Sequence, residues 1–338
     1  MENFRLNILI ERNIPFIAGL LEPYANVTYL AADEFTPKTV EDADALIVRT
    51  RTRCDAALLE KSRCRFIATA TIGTDHIDTQ WCADHGITVV NAPGCNAPAV
   101  AQYVFATIMQ LANRPISQYS IGIVGVGHVG SIVERWARGL NMKVLVCDPP
   151  RQNAEGGDNW STLDEIAREC DIITFHTPLA KAGDYPTYHI AGDEFFSKLR
   201  RSPILINSAR GPIVDTDALI RAIDNGLVSN VAIDCWEGEP QLSRDLLERA
   251  AIATPHIAGY SHEGKIRATQ MVLDAVTAFF YLPRVNTLTA TPKGVARTVS
   301  PLSIVESYNP LADTVALKAD PEDFEPLRNN YHYRTEPA

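Results

Sequence analysis

The stretch 120–148, SIGIVGVGHVGSIVERWARGLNMKVLVCD, constrains the fold of this chain more than any other. It reads as a short apolar strand, a glycine turn, a helix with apolar residues at helical spacing, and a second apolar strand ending on an acid. The same alternation runs through most of the chain. Before it lie strand-like LNILIE (6–11), DALIVRT (44–50), RFIATAT (65–71) and GITVVNAPG (86–94), then a helix over 97–114. After it lie DIITFHTPL (171–179), PILINSARG (203–211), NVAIDCWEGEP (230–240) and AAIATPHIAG (250–259), then a helix over about 260–281. Strands alternating with helices make βαβ units and parallel sheets.

A chain of 338 residues has room for two such domains. The expected fold class is α/β: two flavodoxin/Rossmann-like parallel-sheet domains with an active-site cleft between them, plus a small C-terminal appendage. The expected boundaries are 1–92 with 262–283 for one domain, 93–261 for the other, and 284–338 for the appendage. Beyond Pro283 the pattern weakens. The stretch TPKGVARTVSPLSIVESYNPLADT carries several prolines and reads as loop, packing on something else, another subunit being the expectation.

The net charge of −10 argues against nucleic-acid binding, which needs a basic face. No run approaches the length of a membrane span. MENFRLNILIERNIPF lacks the layout of a secretion signal, and seven scattered cysteines form no CxxC pair. Reduced thiols in a cytoplasmic protein are expected. Asp75, His76 and Asp78 are read as capping residues of a turn, and no metal site is expected.

Gly125, Gly127 and Gly130 satisfy G-x-G-x-x-G between a strand and a helix, and Asp148 stands 18 residues past the last glycine. In a dinucleotide site the first glycine permits the tight turn and the second lets backbone approach a pyrophosphate at the helix N-terminus. The third allows helix and strand to pack closely. Asp148 at the strand end would bind the adenosine ribose and repel a 2′-phosphate, favouring NAD over NADP. Arg151, close behind, leaves that preference open.

Arg210 in NSARG, Glu239 in WEGEP and His256 in TPHIAG each follow a strand of the same sheet. In open parallel sheets ligands bind outside the carboxyl ends of the strands, so the three can converge. A guanidinium offers a planar fork to a carboxylate, an imidazole exchanges a proton near neutral pH, and a carboxylate paired with it orients it. Each has a plainer reading: Arg210 as a surface ion pair, Glu239 as turn chemistry before Pro240, His256 as packing. Arg49, Arg51 and Arg53 follow the second strand. At strand spacing they would point to one side, toward an anionic substrate or simply toward solvent.

The order GVGHVG, NSARG, WEGEP, TPHIAG resembles the D-isomer-specific 2-hydroxyacid dehydrogenases, and GCNAPAVAQYVF and TPHIAGYSHEGK are more specific than that common set. The resemblance implies an NAD-dependent oxidoreductase acting on a small phosphorylated 2-hydroxy acid. It implies that Arg210 holds the substrate carboxylate, that Glu239 supports the histidine and that His256 is the acid/base. Thr50, Thr71 and Tyr260 match substrate positions. With the three glycines and Arg210, residues His128, Val129, Asp148, Thr177, Ser208, Ala209, Asp234 and Gly259 match cofactor positions. The first domain would then bind substrate, the second NAD, and 284–338 would pair two subunits in a homodimer. Sister enzymes acting on glycerate or phosphoglycerate would carry the same three residues. A non-catalytic NAD-sensing protein on this fold is the reading from another class.

Overall fold

The computed structural model describes residues 5–287 and 296–337; residues 291–295 of the expected loop lie outside them. The chain falls into two compact units, Met1–Asn96 with His262–Gly294, and Ala97–Ser261 with Val295–Ala338.

The first unit holds a five-stranded parallel sheet, order β2-β1-β3-β4-β5. Its strands are β1 (Leu6–Glu11), β2 (Ala25–Leu30), β3 (Ala45–Val48), β4 (Phe66–Thr69) and β5 (Thr88–Val90). The strands read as unbroken apolar runs because both faces of the sheet are covered. Ile8, Ile10, Ile47 and Phe66 meet Val272, Leu273 and Val276 of the helix His262–Phe279. Their alternate neighbours Leu9, Leu46, Val48 and Ile67 pack with Val40, Leu58 and Cys82 on the other face. The sequence pattern passes over β2, an edge strand whose residues are mostly half-buried.

The second unit holds a six-stranded parallel sheet, order β11-β10-β9-β8-β6-β7. Its strands are β6 (Ser120–Val124), β7 (Lys143–Cys147), β8 (Ile172–Phe175), β9 (Ile204–Asn207), β10 (Asn230–Ile233) and β11 (Ile252–Ala253). Strand order reverses between β6 and β8, and it is outside such a switch point that open α/β sheets bind ligands. The helix Ala97–Leu111 is buried on all sides over its first twelve residues, which accounts for the near absence of charge in APAVAQYVFATIMQL.

The C-terminal region departs from the expected irregular appendage. It forms the helices Pro301–Ser307, Pro310–Ala319 and Phe324–Asn329. The prolines that suggested a loop are the first residues of the first two helices, where proline is favoured because its missing N–H has no intrahelical partner to lose. Ser300 caps the first through the Ser303 N–H at 3.0 Å, and Asn309 caps the second through the Leu311 N–H at 3.0 Å. Nor is the region a third body. Leu317 and Phe324 sit in the core with Leu246 and Ala253, and Ile304 and Tyr308 pack with Tyr103. The Ala253 N–H donates to Thr314 Oγ1 at 3.1 Å, so the helix also covers the sheet's edge at β11.

Candidate active site

The glycine turn after β6 lies at the switch point. A Cβ on Gly125, whose φ is +90°, would fall 2.7 Å from Thr177 N, and one on Gly130 would fall 2.0 Å from the Gly125 carbonyl oxygen. Only glycine fits at either place. A Cβ on Gly127 would meet nothing within 4 Å among the described residues. The turn is closed on its protein side and open where backbone must approach a ligand. The helix His128–Gly139 starts directly behind it and turns its N-terminal N–H groups the same way.

Asp148 stands at the end of β7, as expected. Its Oδ2 accepts from Val126 N at 2.7 Å, and its Oδ1 caps the next helix through Arg151 N at 3.1 Å. Arg151 bonds Glu155 through two nitrogens, at 2.7 and 2.9 Å, and the Val126 carbonyl at 2.5 Å. The residue that left the 2′-phosphate question open is therefore held by its own neighbours. Thr177 Oγ1 and Ser208 Oγ are buried with no hydrogen-bond partner among the described residues. Orphaned buried hydroxyls call for a partner, and these two follow β8 and β9, beside the turn. A dinucleotide fits the residues present. His128 is exposed, Val129 is half-buried against one core cluster of this unit, and Ala209 is buried in the other. His176, next to Thr177, is pushed down to about 3 by burial, so its ring is neutral.

The next three strand ends carry the reactive set. His256 Nδ1 lies 2.6 Å from Glu239 Oε1, and Glu239 Oε2 accepts from Trp236 N at 3.1 Å. Burial pushes the Glu239 carboxyl up, but the His256 ring, the Trp236 N–H and the Arg328 guanidinium outweigh it and hold the group below its ordinary 4.5. An ionised Glu239 can only accept, so Nδ1 carries the proton and Nε2 is left as the ring's basic atom. His256 sits at φ +55°, in the left-handed region. The turn after it is held by Asp234, which is 1% exposed. Asp234 accepts from Ile257 N at 2.7 Å, Ala258 N at 3.0 Å and Thr254 Oγ1 at 2.7 Å. Burial drives its carboxyl upward from its ordinary range. Gly259 belongs to the same turn.

Arg210 is half-buried on the neighbouring loop, with Nη1 on the Ala209 carbonyl at 2.8 Å. Its loop is locked to the one carrying Glu239. Asn207 Nδ2 donates to the Arg210 carbonyl at 2.9 Å and the Cys235 carbonyl at 3.3 Å. A Cβ on Gly211 would fall 2.0 Å from the Trp236 carbonyl oxygen. The structure thus joins Glu239 to His256 directly and Arg210 to both through packed loops.

In the first unit, Thr71 Oγ1 lies 2.6 Å from Thr69 Oγ1 and donates to the Gly73 carbonyl at 2.9 Å, while Thr50 is exposed in a turn. The three arginines do not alternate along a strand. β3 ends at Val48, and Arg49–Thr52 form a turn closed by Thr52 N donating to the Arg49 carbonyl at 3.2 Å. Buried Glu11 anchors that turn, accepting from Arg49 N and Thr52 Oγ1, both at 2.9 Å. Arg53 pairs with Asp55 at 2.7 Å in solvent.

Arg328, which nothing in the sequence singles out, feels the charges of Tyr260 and Glu239. Burial works against its charge, but Tyr260 and Glu239 more than compensate and raise its pKa. Its signal was hidden in a tail lacking any periodic motif.

The model for the NAD binding domain of D-isomer specific 2-hydroxyacid dehydrogenases matches residues 100–258. The erythronate-4-phosphate dehydrogenase of Bacteroides thetaiotaomicron is 47% identical over 343 residues, covering 98% of this chain and 97% of that protein. The enzyme of that name from Porphyromonas gingivalis is 42% identical over 347 residues, covering 98% and 94%. Among solved structures, D-lactate dehydrogenase from Aquifex aeolicus, complexed with NAD and lactic acid, superposes with a TM-score of 0.70. It is 27% identical and covers 81% of this chain and 96% of that one. NAD+-bound 3-phosphoglycerate dehydrogenase of Entamoeba histolytica gives 0.69 at 26% identity, covering 82% and 96%. With an open glycine cradle, orphaned hydroxyls beside it and a histidine–glutamate pair on the same sheet, the chain belongs to the NAD-dependent, D-isomer specific 2-hydroxyacid dehydrogenases.

Proposed function

We propose that this chain oxidises 4-phospho-D-erythronate at C2 to (R)-3-hydroxy-2-oxo-4-phosphooxybutanoate, a step of pyridoxal 5′-phosphate synthesis. The observation that carries the chemistry is the 2.6 Å contact between His256 Nδ1 and Glu239 Oε1. The substrate is chosen on the near full-length likeness to the erythronate-4-phosphate dehydrogenases.

NAD, when bound, supplies the nicotinamide ring that takes the hydride from C2. The glycines Gly125, Gly127 and Gly130 with His128, Val129, Thr177, Ser208, Ala209, Arg210 and Gly259, and Asp234 through the turn it ties, would hold that cofactor, and Asp148 would bind its adenosine ribose. His256 Nε2 takes the C2 hydroxyl proton while Glu239 stabilises the charge that forms on the ring. Arg210 grips the substrate carboxylate and fixes which face of C2 is presented. In the reverse direction the protonated ring returns its proton to the carbonyl oxygen. Thr50, Thr71 and Tyr260 are assigned to the substrate, and residues 1–92 with 262–283 to the substrate domain. Residues 93–261 form the NAD domain.

We assign the working form as a homodimer joined through 284–338. Leu302, Val305, Leu311 and Val315 on the first two helices of that region are 65%, 46%, 40% and 68% exposed, an apolar surface suited to a second copy. Work in the cytoplasm is supported by seven buried cysteines, all free.

A panel of 2-hydroxy acids with NAD+ tests the substrate. The highest kcat/KM is expected for 4-phospho-D-erythronate. A higher value for 3-phospho-D-glycerate or D-lactate would move the chain to a sister activity.

A further inference from the structure

The last residues of the chain run back across the loop that carries His256. Arg334, 8% exposed, is a guanidinium surrounded by oxygen acceptors, most of them backbone carbonyls. Its Nη1 donates to the Ile257 carbonyl at 3.0 Å and the Tyr260 carbonyl at 3.3 Å; its Nη2 donates to the Ala258 carbonyl and, at 3.1 Å, to the Ala99 carbonyl. Its Nε donates to Gln102 Oε1 at 2.9 Å, and its Cζ lies over the Tyr308 ring, 4.3 Å from the centroid. Arg334 also forms a parallel bridge with Ser261, whose hydroxyl donates to Glu336 Oε1 at 2.6 Å. Gln102, fully buried in the helix Ala97–Leu111, donates to the Thr335 carbonyl at 2.8 Å.

The turn behind His256 is therefore gripped from two sides. Asp234 takes its N–H groups, at Ile257 and Ala258, and Arg334 takes its carbonyls, at Ile257, Ala258 and Tyr260. A guanidinium is the one side chain with five donors in a rigid fork, enough to tie three carbonyls to a neighbouring helix. His256 holds a positive φ that L-residues adopt only when their surroundings impose it. Tyr331 and Tyr333 of the same segment stand edge-on to Tyr260, with ring centroids at 6.1 and 6.2 Å.

We propose that Arg334 is a positioning residue of the reaction: it clamps the 257–260 turn so that His256 keeps the orientation in which Nδ1 meets Glu239 and Nε2 meets the substrate. The proposal rests on the assignment of His256 as the acid/base.

The test uses full-length Arg334→Gln and Arg334→Lys, with two readouts. In turnover, Arg334→Gln is expected to lower kcat by roughly 10²-fold, the scale of an ångström-sized displacement of a catalytic group, with KM for NAD+ nearly unchanged. Arg334→Lys, which keeps the charge and three donors, is expected to restore part of kcat. In hydrogen exchange, the amides of 256–260 are expected to lose protection in Arg334→Gln while those of β6, β8 and β9 keep theirs. Unchanged kcat and unchanged exchange at 256–260 would overturn the proposal. So would a loss of NAD+ affinity, sheet protection and kcat together, which marks general packing. Should Arg334→Gln not fold, partial kcat and local exchange in Arg334→Lys decide the same question. A wild-type protein inactive on every 2-hydroxy acid would reject the enzymatic reading, and the exchange result would still show whether Arg334 holds this turn.

Discussion

His256 combines a left-handed backbone and a ring nitrogen committed to a carboxylate, two features that His189 shares through Glu237, but His256 alone of the two directly follows a strand of the second sheet. The first costs on the order of 1–3 kcal/mol and persists only where the rest of the structure over-determines it. Replacing His256 with Asn should lower kcat by about 10²–10⁴-fold, the usual share of a general base, with NADH affinity kept. Steady-state rates beside a fluorescence titration check both halves. Glu239→Gln keeps a partner for Nδ1 but removes the charge that balances the imidazolium. It should cost kcat more than KM, and an equal rise in KM would point to substrate binding instead. His176 gives a stability prediction. Its folded value of about 3 against an ordinary 6.5 means the unfolded chain binds the extra proton between those limits. Stability is then full above pH 6.5 and falls as the pH drops below it, by up to about 1.4 kcal/mol per pH unit. His176→Asn should flatten that slope in urea titrations at successive pH values; an unchanged slope would mean the ring is not held neutral. Arg210, Glu239 and His256 were legible because strand ends in a parallel sheet share one edge. Arg334 and Arg328 were not. Arg334 pairs chiefly with backbone carbonyls, which leave no mark in a sequence, and its main targets lie 74 to 77 residues away along the chain.

At the level of elements, the glycine turn shows why one motif can contain three different constraints. Gly130→Ala would place a methyl 2.0 Å from the Gly125 carbonyl oxygen, so it should destabilise the second unit and lower its melting temperature. The methyl of Gly127→Ala meets nothing within 4 Å among the described residues. This variant should melt like the wild type yet bind NADH more weakly, because the methyl stands where the pyrophosphate approaches. Equal melting points and equal affinities for both variants would refute that division. Most strands were visible as unbroken apolar runs because both sheet faces are covered. β2 escaped because an edge strand needs no such run. The helices Pro301–Ser307 and Pro310–Ala319 escaped because their prolines suggest a loop, whereas each opens a capped helix.

For the whole molecule, two parallel sheets follow from the βαβ alternation, and their strand orders agree with the flavodoxin-like pattern. The packing of the C-terminal helices onto the second unit did not follow, since Leu317 and Phe324 find their partners far away in sequence. The same helices turn Leu302 and Val315 outward. Replacing both with Glu should convert a dimer to a monomer in sedimentation velocity, and a protein whose mass does not change would contradict assembly through this face. The most direct measurement follows NADH absorbance after mixing the protein with NAD+ and 4-phospho-D-erythronate, in the wild type and in His256→Asn. The expected result is NADH formation by the wild type and none above background in the variant, with both proteins binding NADH alike. Undiminished NADH formation by the variant would contradict the assignment of His256 as the acid/base.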